Sequence, residues 1–190
     1  MEQTQFKENV ILVDADYVDE VAGNLKEYFR KTLSRDIPLA DMADWLVCAA
    51  LDGGVPADSK GVQCFFIHRP GTLCLKSFTP GDLRKELDGV GFKDQALGEF
   101  LLACLPDQSP VQDDFFCECV RALLGSKEVG RLVLVPDLAR SGDGLTRLMA
   151  ETRTDKQVTL LGMMPQEGFE HVVLGFGLLH AMGVKSEEIK

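Results

Sequence analysis

The chain has 190 residues, 45% of them hydrophobic, and a formal net charge of −10; one domain of this size buries about 70% of the surface its unfolded chain exposes and needs no disulfide or metal staple. The acids are spread rather than gathered into a tail, which weighs against tight sequence-independent nucleic-acid binding, an affinity that comes from Lys and Arg neutralising phosphates. Residues 1–9 are polar and no apolar run approaches the roughly 18 residues of a membrane span, so the expectation is a cytoplasmic protein without signal core or membrane segment.

Val10-Ile11-Leu12-Val13 is a run of four apolar residues, three of them β-branched, that stops at Asp14, Asp16 and Asp19; it predicts a buried strand ending in acid. Val18, Val21, Leu25, Phe29 and Leu33 then recur at helical spacing with charges between them, an amphipathic helix. A second helix is predicted from Leu39 to Ala50, with Pro38 before it, Gly53-Gly54 after it and Trp45 covering the edge of the core. Val62–His68 reads as the next strand, closed by the turn pair Pro70-Gly71, and Thr72–Phe78 as a short strand or extended loop. Thr79 as cap and Pro80 in the first turn predict a helix carrying Leu83 and Leu87 and ending near Gly89.

Glu99–Leu105 reads as a third buried strand. Asp113-Asp114 opens a helix with Phe116, Cys119, Val120 and Leu123 on one stripe, closed by Gly125. Arg131–Val135 repeats the first strand and again ends in an acid, Asp137; a loop over Leu138–Gly144 leads to a helix with Leu145, Leu148 and Met149. Val158–Gly162 is the last predicted strand, and residues 168–190 a helical segment capped at Gly183, despite Gly175 and Gly177 in its middle. Strands alternating with helices imply a single three-layer α/β/α sandwich with a mainly parallel sheet, its central strands Val10–Val13 and Leu132–Val135.

Of the six cysteines, Cys48, Cys64, Cys74 and Cys104 sit in apolar runs and read as reduced core residues; Cys117 and Cys119, two apart on a helix, point to different sides and do not make a metal pair. His68, His171 and His180 read as structural or exposed, and Lys76, Lys93, Arg140 and Arg153 as unplaced candidates for phosphate contact.

In a parallel sheet the carboxyl ends of the strands form the floor of the ligand crevice. Asp14, Asp16 and Asp137 end strands, Asp113 and Asp114 start a helix, and Asp143 follows Asp137. Converging at one sheet edge, these six acids would repel one another unless a divalent cation, Mg²⁺ or Mn²⁺, or raised pKa values relieved them. Several acids around a hard cation suit phosphodiester hydrolysis. The plain alternative is that Asp caps helices and favours turns, which describes Asp113, Asp114 and Asp143 best.

The order strand–Asp, two helices, strand, helix, strand, acid-led helix, strand–Asp, helix, strand resembles the PIN-like superfamily, in particular its NYN branch, over most of residues 9–163. That resemblance implies a metal-dependent ribonuclease acting on single-stranded RNA, with Asp14, Asp114 (or Asp113) and Asp137 as its catalytic acids. Two departures stand out: Tyr17 lies where NYN domains carry an Asn, and Val135–Asp143 differs from their Ser-Gly-Asp-x-Asp-Phe block. They leave open a degenerate scaffold, with a protein partner or a second copy in place of a substrate, and a divergent bacterial family on this scaffold fits the same order. Asp14-Ala15-Asp16-Tyr17-Val18 also resembles the first motif of haloacid-dehalogenase-type phosphatases, which implies Asp14 as nucleophile and Asp16 as general acid/base.

Overall fold

The computed structural model describes residues 5–110 and 114–189. In chain order the strands are β1 (Asn9–Asp14), β2 (Ala40–Asp41), β3 (Val62–His68), β4 (Phe78–Thr79), β5 (Gly91–Asp94), β6 (Gly98–Pro106), β7 (Arg131–Val135), β8 (Gln157–Gly162) and β9 (Glu170–Val173). The helices are α1 (Ala15–Thr32), α2 (Met42–Asp52), α3 (Phe115–Gly125), α4 (Leu138–Glu151) and α5 (Leu174–Ala181). Seven strands form one sheet in the order β5-β6-β3-β1-β7-β8-β9, and β2 pairs with β4 beside it. Numbered by appearance, the parallel strands read 3-2-1-4-5-6, the doubly wound order, with β5 added antiparallel outside β6.

Alternation along each strand sends residues to opposite faces. Ile11 and Val13 face a core built with Val18 of α1, Trp45 and Leu46 of α2 and Leu178 of α5. Val10, Leu12, Leu132 and Leu134 face a second core with Phe116 and Val120 of α3 and Leu145 and Leu148 of α4. These are the three predicted layers, and β1 and β7 are central, with Val10–Val13 and Leu132–Val135 fully buried on both faces because those runs are apolar.

Several local expectations are corrected. α2 starts at Met42 rather than Leu39, because Ala40 and Asp41 pair with β4 and the Asp41 carboxylate accepts the Asp44 N–H as cap. Trp45 is fully buried rather than at the core edge. The predicted helix after Thr79 shrinks to a single π turn, Leu83–Leu87, capped by Asp82, since Thr79 belongs to β4. β6 is only partly buried, with Leu101 38% exposed, because it lies one strand from the sheet edge and β5 forms a hairpin with it.

Cys74 is exposed rather than part of the core, and all six cysteines are free. The predicted C-terminal helix is interrupted: residues 170–173 form β9, parallel to β8, and α5 starts only at Leu174. Its end at Gly183, where φ is +71°, is as expected. The predicted loop after Asp137 is helix, for α4 begins at Leu138. Its glycines serve packing, not a loop: a Cβ on Gly144 would lie 2.8 Å from the Cys117 sulfur of α3. Among the described residues no helix is long and apolar enough to cross a membrane.

Candidate functional site

β1 and β7 are neighbours, Leu12 opposite Leu134 and Val13 opposite Val135, yet their chains leave for different faces, β1 into α1 and β7 into α4. A crevice opens where the strand order reverses, the place at which open α/β sheets bind ligands. It encloses about 240 Å³ and is lined by the carboxylates of Asp14, Asp16, Glu20 and Asp137, the guanidinium groups of Arg69 and Arg140, and Tyr17.

Asp14 ends β1 and is 8% exposed. Its Oδ1 accepts the Tyr17 N–H at 3.0 Å, which caps α1. Burial pushes its carboxyl up to about 6, and the like charges of Asp137 and Asp16 add to the rise; the Tyr17 N–H and the Arg140 charge only partly offset it. Asp137 caps α4 in the same way, accepting the Ala139 N–H at 3.0 Å. Tyr17 feels the pair too: burial, then the charges of Asp137 and Asp14, raise its phenol above the ordinary value.

Asp16 lines the same crevice in a different state. It accepts the Arg69 N–H at 2.8 Å, the Arg69 guanidinium at 3.0 Å and the Thr72 hydroxyl. Burial works against its charge, but these donors outweigh burial and bring the carboxyl below the ordinary value. One turn on, Asp19 accepts the Lys76 and Ser77 N–H groups at 3.0 and 2.7 Å. Together they fasten the segment after β3 to α1. The haloacid-dehalogenase-type role would need Asp16 free to move a proton, whereas its oxygens are already engaged.

Of the six predicted metal ligands, the structure brings Asp14, Asp16 and Asp137 to this crevice. Asp114 is not among the residues that line it. Its Oδ1 accepts the Cys117 N–H at 3.2 Å and the Ser141 hydroxyl at 3.1 Å, and its Oδ2 the Cys117 thiol at 3.0 Å, so the carboxylate caps α3 and ties it to α4. Asp143 is exposed on α4 rather than in a loop beside the site. Asp113 lies outside the described residues. Among the described residues no three His, Cys, Asp or Glu side chains are grouped so as to hold a metal ion by themselves.

Of the four basic candidates only Arg140 lines the crevice. It is held there by a 2.7 Å bond to Asp107, which raises the guanidinium pKa further. Arg69 was missed, although the logic that singled out Asp14 applies to it: it directly follows the last residue of a buried strand.

The chain is an α/β protein with a doubly wound sheet, and its crevice lies at the β1/β7 switch point, the position at which such sheets in general bind ligands. The first turn, Asp14-Ala15-Asp16-Tyr17, carries acids where a dinucleotide-binding turn carries glycines, and its helix N-terminus is already capped, so a pyrophosphate has no seat there. The chain belongs to DUF6621, a family of unknown function whose model matches residues 3–189. No curated protein and no solved structure matches it.

Proposed function

We propose that this chain is a PIN-like, divalent-metal-dependent phosphodiester hydrolase acting on single-stranded RNA, with its chemistry at Asp14 and Asp137. The observation that carries this reading is the carboxylate pair at the switch point, in which Asp14 is buried beside like charge and pushed up to about 6. The donor set fits Mg²⁺ or Mn²⁺: two hard carboxylates suffice where waters and substrate phosphate oxygens complete the shell, so a group of three protein ligands is not required. When bound, the cation would supply charge stabilisation at the scissile phosphate and a more acidic water. Asp14 and Asp137 would hold it, and Arg140 and Arg69 would orient the phosphate from the rim. Asp114, engaged between α3 and α4, supports the frame instead of the chemistry.

The capping geometry favours a second reading, in which Asp14, Asp114 and Asp137 serve only as helix caps of a binding or scaffold protein. Calorimetric titration with Mn²⁺, paired with cleavage of a fluorogenic single-stranded RNA, separates the two. The hydrolase reading expects Mn²⁺ binding that Asp14→Asn and Asp137→Asn each weaken, and a cleavage rate that Asp14→Asn lowers by about 10²–10³-fold, on the scale of losing one group that stabilises transition-state charge. Absence of Mn²⁺ binding both with and without RNA leaves the capping reading.

A further inference from the structure

A second cavity, of about 310 Å³, opens at the same sheet edge, over the carboxyl ends of β3 and β6. Its walls include Pro70, Leu73 and Leu83, and its polar groups are His68, Arg84 and Asp88. It shares a wall with the acidic crevice: Thr72 lines it while giving its hydroxyl to Asp16 in the crevice. In the sheet Asp14 stands opposite Ile67, and His68 opposite Pro106, so the two sites lie one to two strand spacings apart, about 5–10 Å. That is the reach of one nucleotide from phosphate to base.

The polar groups have defined capacities. His68 Nδ1 lies 2.9 Å from the Arg69 carbonyl, which can only accept, so Nδ1 carries a proton and is engaged. Asp88 takes the Cys104 N–H on Oδ1 at 2.9 Å, which leaves Oδ2 as an acceptor. Among the described residues no hydrogen bond or ion pair engages the Arg84 guanidinium, although its main-chain N–H is bound to Asp82. Leu73 is 71% exposed, an apolar side chain presented at the mouth of the cavity.

We infer that this cavity is a base subsite for guanine, which seats the nucleotide whose phosphate lies in the acidic crevice. The apolar walls receive the flat ring, the Asp88 carboxylate accepts from its N1–H and N2–H₂ edge, and Arg84 donates to O6 or N7, the acceptors that arginine pairs with in guanine. The volume sits at the lower end of ligand pockets and suits a nucleoside rather than a dinucleotide. The inference rests on the hydrolase reading for its substrate class, but its binding test does not need activity.

The test is a titration of the full ¹⁵N-labelled chain with guanosine, adenosine, cytidine and uridine, without divalent cation, followed by amide NMR shifts. Guanosine is expected to shift the amides of Leu73, Arg84 and Cys104 and to bind about tenfold or more tighter than the pyrimidine nucleosides, and Arg84→Ala and Asp88→Asn are each expected to weaken it about tenfold. Asp88→Asn keeps an oxygen for the Cys104 N–H, so the fold persists. Equal binding of all four nucleosides, shifts confined to another surface, or no binding would overturn the guanine subsite. Asp14→Asn, in the other cavity, is expected to leave guanosine binding unchanged. Guanosine binding without Mn²⁺-dependent cleavage sinks the hydrolase reading alone, and cleavage untouched by Arg84→Ala sinks the subsite alone.

Discussion

The first turn of α1 presents two carboxylates, Asp14 and Asp16, to one crevice in opposite states. Asp16 is surrounded by donors from the segment after β3 and its pKa is brought down; Asp14 has one backbone donor, buried surroundings and like-charged neighbours, and is pushed up to about 6. Depth is not the whole difference, since burial opposes charge at both positions. The supply of donors separates them. A carboxylate whose hydrogen bonds are completed by its own chain serves the fold, and one left short of donors is the place where a cation or a proton relieves the strain.

The largest expected effect removes the floor beneath both. Leu134 is fully buried on β7 opposite Leu12, and Leu134→Ala should cost about 2–5 kcal/mol through lost burial and a cavity. The contrast should survive this loss, because neither carboxylate loses a donor; chemical denaturation across pH would expose any coupling as a changed pH profile.

Asp14→Asn comes next and breaks the comparison directly. Asn still caps a helix, so the substitution removes chiefly the charge. With a folded pKa of about 6 against an ordinary 3.8, native Asp14 holds a proton between those values that the unfolded chain has released. Its contribution is therefore fully present below about pH 4 and is lost as pH rises through 6. Metal-free Asp14→Asn should then be about as stable as the parent at pH 4 and more stable at pH 8, by about 2–3 kcal/mol for a shift near two units. Denaturation midpoints that differ equally at both pH values would show that the carboxylate is not strained.

Asp16→Asn should have the smaller effect and the opposite sign. Its lowered pKa contributes stability above the unfolded value, 3.8, that is lost as pH falls through the folded one. Because the Arg69 side chain is 74% exposed, the ion pair is heavily screened, and the loss at pH 7 should be about 1 kcal/mol, mostly from weakened hydrogen bonds. Proteolysis should also find residues 69–77 more open in this variant, since Asp16 fastens the near end of that segment. Unchanged protection there would assign the fastening to Asp19 alone.

The fold was largely legible in the residues. Val10–Val13 and Leu132–Val135 are apolar on both faces and each gives way to an acid, and this pattern alone predicts central parallel strands with Asp14 and Asp137 at their carboxyl ends. Apolar periodicity acts over a few residues, so sequence displays it directly. Where it misled, a long-range contact outweighed the local signal: Gly142 and Gly144 suggest a loop, but both lie in α4, where Gly144 leaves room for Cys117 of α3 and Gly142 sits beside Gln166, and residues 170–173 prefer pairing with β8 to continuing α5.

The site was only half legible, for a related reason. Strand ends nominate acids, but the partners that decide each acid's state come from elsewhere in the chain. Arg69 and Thr72 reach Asp16 from more than 50 residues away, Ser141 reaches Asp114 from 27, and Asp107 holds Arg140 across 33. By itself the sequence placed Asp14, Asp16 and Asp137 at the sheet edge, because strand ends follow from short-range pattern, but it did not separate them from Asp114 and Asp143, which the structure places elsewhere. Only the tertiary structure decided which of them are neutralised and which keep an uncompensated charge, because donors are brought to a buried carboxylate by chain crossings that no local spacing encodes.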